Sequence, residues 1–83
     1  MDQKEAVRQL LQQLLAQKGD HRPFADSDSL ILGGRLQSVD AVDVVIFLEE
    51  KFGIDFAVIG FDESQIDSVN AILALIQNAG VAR

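Results

Sequence analysis

Apolar residues recur along this chain at helical spacing in three blocks, separated by stretches that break the period. In the first block Ala6, Val7, Leu10, Leu11, Leu14 and Leu15 follow the i, i+3, i+4, i+7 rule of an amphipathic helix. Asp2 and Glu5 stand where the helix dipole favours acids, and Gly19 after Lys18 supplies a stop. The second block predicts a helix from about Val39 to Phe52, closed by Gly53. At ~100° per residue, Ala41, Val44, Val45, Leu48 and Phe52 gather on one side, the expected core face. The opposite side holds Val39, Asp43, Ile46 and Glu50, with Val42, Phe47 and Glu49 on its flanks. The third block opens on Ser68 as a candidate N-cap, carries Val69, Ile72, Leu73 and Ile76 as its stripe, and stops at Gly80.

The connections differ in kind. Residues 20–37 begin with a helix-breaking His21-Arg22-Pro23 and continue into "ADSDS", which is turn chemistry. Phe24, Leu30, Ile31, Leu32 and Leu36 are too many apolar groups for a free linker. This loop is expected to lie over the bundle and bury them, with one helical turn near Ser27 to Leu32. After "GIDF", the segment "AVIGFDESQI" gives mixed signals, with a short helix expected near Asp62 to Ile66. Phe24, Phe52, Phe56 and Phe61 are expected in the interior. Three long helical elements and one short one predict a single all-α domain over residues 1–83, a four-helix bundle with a long first loop.

Composition fits that picture. Eighty-three residues, 48% of them hydrophobic, suffice for one core and leave no room for a second. The absence of cysteine excludes disulfides, thiolate metal sites and a cysteine nucleophile. The longest apolar run, Ala71 to Ile76, is far short of the ~20 residues of a membrane span. The opening "MDQKEAVRQL" lacks the apolar block of a signal peptide. A soluble, cytoplasmic monomer is expected.

The net charge of −6 is unevenly placed. Residues 1–35 hold five acids and five bases and sum to zero, whereas residues 36–83 hold eight acids against Lys51 and Arg83. An acidic half repels phosphate backbones, which disfavours nucleic acid and makes basic protein surfaces the natural partners. Val39, Ile46 and Phe47 do not belong on a purely solvating face. Apolar groups ringed by Asp43, Glu49 and Glu50 have the make-up of a docking surface, unless the helix is buried on both sides.

Few residues offer chemistry. Asp26 and Asp28 have the spacing of the first ligands of a calcium loop, but the required glycine position is Ile31 and the required glutamate position is Gln37. Gly33-Gly34 lacks the lysine and hydroxyl of a phosphate loop and instead suits a tight turn. His21, the single histidine, has no partner motif. Nothing has the grammar of a metal site or of an enzyme's active site. Ser38 remains. A serine ahead of an apolar-periodic run is a favoured N-cap. It also follows a long loop that should expose its hydroxyl, and it adjoins the acidic-apolar face. A helix N-terminus accommodates an attached phosphate well.

The stretch "LQSVDAVDVVIFLEEKFGIDF" resembles the acyl carrier protein family, whose pattern there is D-S-L-[D/x]-x-V-E-L-V-x-x-L-E-E-x-F-[G/x]. Ser38, Val42, Val44, Val45, Leu48, Glu49, Glu50 and Phe52 fall in register, with Asp43 in place of a glutamate. "DSLILGGRLQS" and "FDESQIDSVNAI" are similar to flanking segments of aminoacyl and D-alanyl carriers, with Ile66 at a position that is usually aromatic.

The resemblance implies that Ser38 bears 4′-phosphopantetheine, placed there by a phosphopantetheinyl transferase from coenzyme A. The thiol of that arm would hold an acyl or aminoacyl thioester, with a loading ligase and acyl-processing enzymes as further partners. Val39, Val42, Ile46 and Phe47 would then give apolar contact, and Asp43, Glu49 and Glu50 would meet basic residues on those enzymes. Gln37 departs from the usual aspartate and Val39 from the usual leucine. Loss of the charge at Gln37 leaves two alternatives open, a specialised transferase and an unmodified docking module.

Overall fold

The computed structural model describes residues 2–81, and side chains as far as residue 78. Arg83, one of the two bases in the acidic half, lies outside the described residues. Four α-helices and one 3₁₀ turn make up the fold, and the described residues contain no strand. Helix α1 spans Gln3–Gln17, α2 Ser38–Phe52, α3 Phe56–Ile59 and α4 Val69–Val81, with the 3₁₀ turn at Glu63–Ile66 just before α4. Helix α1 packs against both α2 and α4, and the 3₁₀ turn bridges α2 to α4.

Helix α1 forms for the reasons its sequence gives. The Asp2 carboxylate accepts from the Glu5 N–H at 2.8 Å, satisfying one of the open donors of the first turn. At the other end Gly19 takes φ +79°, and the Gly19 and Asp20 N–H groups return to the carbonyls of Ala16 and Leu15. That pair of bonds needs a left-handed residue, which glycine adopts without a Cβ clash. Between these ends Val7, Leu11, Leu14 and Leu15 are buried and Leu10 is partly so.

They meet Ala41, Val44 and Leu48 of α2, and Val69, Ile72, Leu75 and Ile76 of α4, in one core that also takes in Ile54, Phe56 and Ile66. In α4 the Ser68 hydroxyl accepts from the Ala71 N–H at 3.1 Å, the cap expected from the sequence. The helix then runs through Gly80 to Val81 and does not stop at Gly80. A glycine inside a helix costs only ~1 kcal/mol, so its presence alone does not fix an end.

The long loop is built into the core, as its apolar content requires, with Phe24, Leu30, Ile31 and Leu36 all buried. Two polar centres hold it. Asp67, ahead of α4, accepts from the N–H groups of Ile31 and Leu32 at 2.8 Å and from the Ser29 hydroxyl, while its carbonyl takes the Leu30 N–H. Asp20 is gripped by both Arg22 and Arg35, and Arg35 also donates to the carbonyls of Arg22 and Pro23. The bonds from Arg22, and then those from Arg35, hold the Asp20 carboxyl far below the ordinary carboxylate range.

Three expectations are corrected here. Ser27 to Leu32 forms turns with no helix, because the N–H groups of Leu30, Ile31 and Leu32 are taken by Asp67 and not by local carbonyls. Leu32 is exposed, although its N–H and that of the buried Ile31 bond to the same Asp67 oxygen. Of the four phenylalanines expected inside, Phe24 and Phe56 are buried and Phe52 is half-buried. Phe61 is exposed, lying edge-on against Phe56 with ring centres 5.8 Å apart.

The short helix expected near Asp62 to Ile66 is the 3₁₀ turn. Helix α3 was not foreseen; Asp55 caps it by accepting from the Ala57 N–H, and Gly60 closes it with φ +80°.

Candidate functional site

The chain enters α2 through a sharp turn. Gly34 takes φ +90°, and a Cβ added to Gly33 would lie 2.2 Å from the Ser29 carbonyl oxygen. Both positions therefore need glycine, one for its backbone angle and one for space. Leu36 follows, buried in the core, with its N–H bonded to the Leu30 carbonyl at 2.8 Å. It anchors the loop two residues before the candidate serine.

Ser38 is the first residue of α2, and the extended N-cap is Gln37, with φ −100° and ψ 168°. The helix thus starts one residue earlier than its periodicity suggests. The physical reason is Asp40. Its carboxylate reaches back to the Gln37 N–H at 2.8 Å, while the Gln37 carbonyl takes the N–H of Asp40 at 2.9 Å. Asp40 is itself buried and receives the Lys18 ammonium at 2.8 Å, which ties the end of α1 to the start of α2. Burial pushes the Asp40 carboxyl up, but the Lys18 ammonium and the Gln37 N–H outweigh it, and the net shift is below the ordinary value.

With Gln37 as cap, the Ser38 side chain is released from that duty and is exposed. Its hydroxyl donates to Glu63 Oε1 of the 3₁₀ turn at 3.1 Å. The N–H groups of Ser38 and Val39 fall in the first turn of a 15-residue helix, where no intrahelical carbonyl reaches them.

From Ser38 an exposed strip runs down α2. Val39, Val42 and Ile46 keep 64%, 55% and 45% of their surface in contact with solvent, whereas Val44 and Leu48 on the opposite side are fully buried. The alternative of a helix buried on both sides is therefore wrong for these positions. Asp43, Glu49 and Glu50 are exposed beside the strip and enter no ion pair among the described residues.

Phe47 departs from this grouping. It is half-buried, lies edge-on to Phe52 with ring centres 6.0 Å apart, and borders a shallow groove with Leu10 and Gln13 of α1. Its place at the α1 edge of the face follows from its position on the helix wheel, roughly 100° beyond Ile46.

Glu63, Asp40 and Lys18 join this site without a place in the pattern that predicts it. Asp40 stands three residues after Gln37, the spacing of a capping box, but glutamine is not a residue type that marks a cap, and the serine beside it is. Glu63 stands 25 residues from Ser38, and no local pattern pairs them.

The acids considered for calcium are otherwise engaged. Asp26 pairs with Lys4 and Arg8, and Asp28 accepts from the Ala25 N–H. His21 is exposed on the long loop. Among the described residues no cluster of acids and histidines is placed to hold a metal ion, and no helix is long and apolar enough to cross a membrane. No protein-family model, no curated protein and no solved structure matches the chain.

Proposed function

We propose that this protein is an acyl or aminoacyl carrier whose Ser38 takes a 4′-phosphopantetheine arm from coenzyme A. The observation that carries the reading is the pairing of an exposed serine hydroxyl, at the first turn of α2, with an exposed apolar strip flanked by free carboxylates. The resemblance of "LQSVDAVDVVIFLEEKF" to acyl carrier proteins, and the all-α order of helix, long loop, helix and short turn before a last helix, agree with it.

The local chemistry fits the group. The open N–H groups and dipole of the α2 N-terminus favour a phosphodiester at Ser38. The Leu36 anchor and the Asp40–Lys18 tether hold that terminus in place against the tug of partners. When bound, the arm supplies the thiol that the cysteine-free chain lacks, and on it an acyl group rides as a thioester.

The chain's own part is presentation. Val39, Val42 and Ile46 offer apolar contact, and Asp43, Glu49 and Glu50 steer basic surfaces of a transferase, a loading ligase and acyl-processing enzymes toward Ser38. The chain makes and breaks no bonds of the cargo. It raises the local concentration of the cargo at each partner. A single acidic domain of this kind works as a cytoplasmic monomer.

A docking module that takes no cofactor would use the same face; the engagement of the Ser38 hydroxyl by Glu63 is the observation that favours it. Incubation with coenzyme A and a broad-specificity transferase, followed by intact mass, separates the two. A mass gain that Ser38→Ala abolishes supports the carrier. No gain with any transferase tried, Gln37→Asp included, supports the docking module.

A further inference from the structure

The Ser38 hydroxyl is engaged by a carboxylate that belongs to another element. At 3.1 Å from Glu63 Oε1, it links the first turn of α2 to the 3₁₀ turn. The other polar bonds of that turn are local: the Asp62 side chain accepts from the Ser64 N–H, and Gln65 accepts from the Asp62 N–H. Its apolar anchor is the buried Ile66, at the end farther along the chain from Glu63. Beyond the packing of the turn on α2, the hydrogen bond from the serine is the polar tie between the Glu63 end and that helix. We infer that Ser38 and Glu63 form a latch that attachment of a phosphodiester at Ser38 opens, so that the 3₁₀ turn reports whether the protein is loaded. This rests on the carrier reading.

The chemistry of attachment dictates the opening. Ser38 Oγ forms a bond to the phosphorus of the phosphopantetheinyl group, and the pyrophosphate P–O bond of coenzyme A breaks. Adenosine 3′,5′-bisphosphate leaves, and the hydroxyl proton passes to a base on the transferase or to solvent. The ester oxygen then has no hydrogen to donate, and an ionised glutamate is acceptor-only, so the bond cannot re-form. The phosphodiester also brings a negative charge up to the Glu63 carboxylate, and like charges repel. Glu63 is a positioning residue in the unloaded protein and a released one after loading. The exposed Phe61 lies just ahead of this turn. Partners that read α2 together with the turn would thus meet two different surfaces.

Backbone amide exchange at Ser64, Gln65 and Ile66, followed by NMR, tests this. In the unloaded protein Ser38→Ala is expected to speed exchange about fivefold, the effect of one hydrogen bond of ordinary strength. Ser38→Thr retains a donor and is expected to keep the slow rate, whereas Ser38→Val, of the same shape as threonine but without a donor, is expected to match Ser38→Ala, which a mere packing role of the side chain would not explain. Loading of the wild type is expected to match Ser38→Ala, and Glu63→Ala to show fast exchange that loading no longer changes. Unchanged exchange at the turn in Ser38→Ala, or slow exchange retained in the loaded protein, overturns the latch. If no transferase loads Ser38, the carrier reading fails and takes the inference with it, even where Ser38→Ala alters exchange.

Discussion

Asp40 is the residue on which the presentation of Ser38 depends, and its removal gives a quantitative test. The carboxylate accepts from the Gln37 N–H and from Lys18, both at 2.8 Å, and its side chain is only 10% exposed. A hydrogen bond to a buried charged group contributes ~1.5–3 kcal/mol. A helix-capping bond contributes ~1 kcal/mol, and a partly exposed ion pair up to ~1 kcal/mol. These overlap, so Asp40→Ala is expected to cost about 2–3 kcal/mol, which in a domain of this size lowers Tm by about 10–20 °C. Asp40→Asn keeps an acceptor for the Gln37 N–H and is expected to cost about 1 kcal/mol. Urea unfolding monitored by circular dichroism measures both, and a double-mutant cycle with Lys18→Met isolates the ion pair.

The pH dependence has a definite sign. The folded Asp40 carboxyl titrates below its unfolded value, so its stabilisation is complete above the unfolded value of ~3.9. It is lost as pH falls through the folded value, and the gap between wild type and Asp40→Asn is expected to close there. An Asp40→Ala cost under about 0.5 kcal/mol, or a gap that persists unchanged to the lowest pH at which the protein stays folded, would mean that the Asp40 carboxylate does not hold the start of α2.

Three further outcomes are expected. Ile46→Asp, at a position 45% exposed, is expected to change stability by under about 1 kcal/mol while abolishing partner binding, whereas Leu48→Ala, fully buried, is expected to cost about 2–5 kcal/mol; thermal unfolding distinguishes them. The double reversal Asp43→Lys and Glu50→Lys is expected to weaken transferase binding and flatten its salt dependence with little change in Tm, measured by calorimetry at two ionic strengths. Gly33→Ala is expected to cost about 1–3 kcal/mol, because its Cβ would meet a backbone oxygen at 2.2 Å that cannot rotate away; urea unfolding measures it.

The helices were legible where a single chemical cause sufficed. Val7, Leu11 and Leu14 keep their period because one face of α1 is buried, and Ser68 caps α4 because a hydroxyl three residues ahead of Ala71 can reach its N–H. The exposed strip was legible too, since Val39, Val42 and Ile46 have no place on the core arc of α2. What escaped depends on contacts across the fold. Serine and glutamine positions compete for the cap, and Asp40 decides between them only once Lys18 is brought up from α1. The turns near Ile31 depend on Asp67, some 36 residues away. Glu63 reaches Ser38 only because the 3₁₀ turn packs on α2, which no periodicity encodes.

Whether Ser38 is a point of attachment can be read directly. After incubation with coenzyme A and a transferase, fragmentation of the intact protein in a mass spectrometer locates any added group to a residue. One phosphopantetheinyl group is expected, on the fragment containing Ser38, and none on the Ser38→Ala protein treated in the same way. A group found on another residue, or no group at all while a known carrier in the same tube is fully loaded, would mean that Ser38 is not an attachment point.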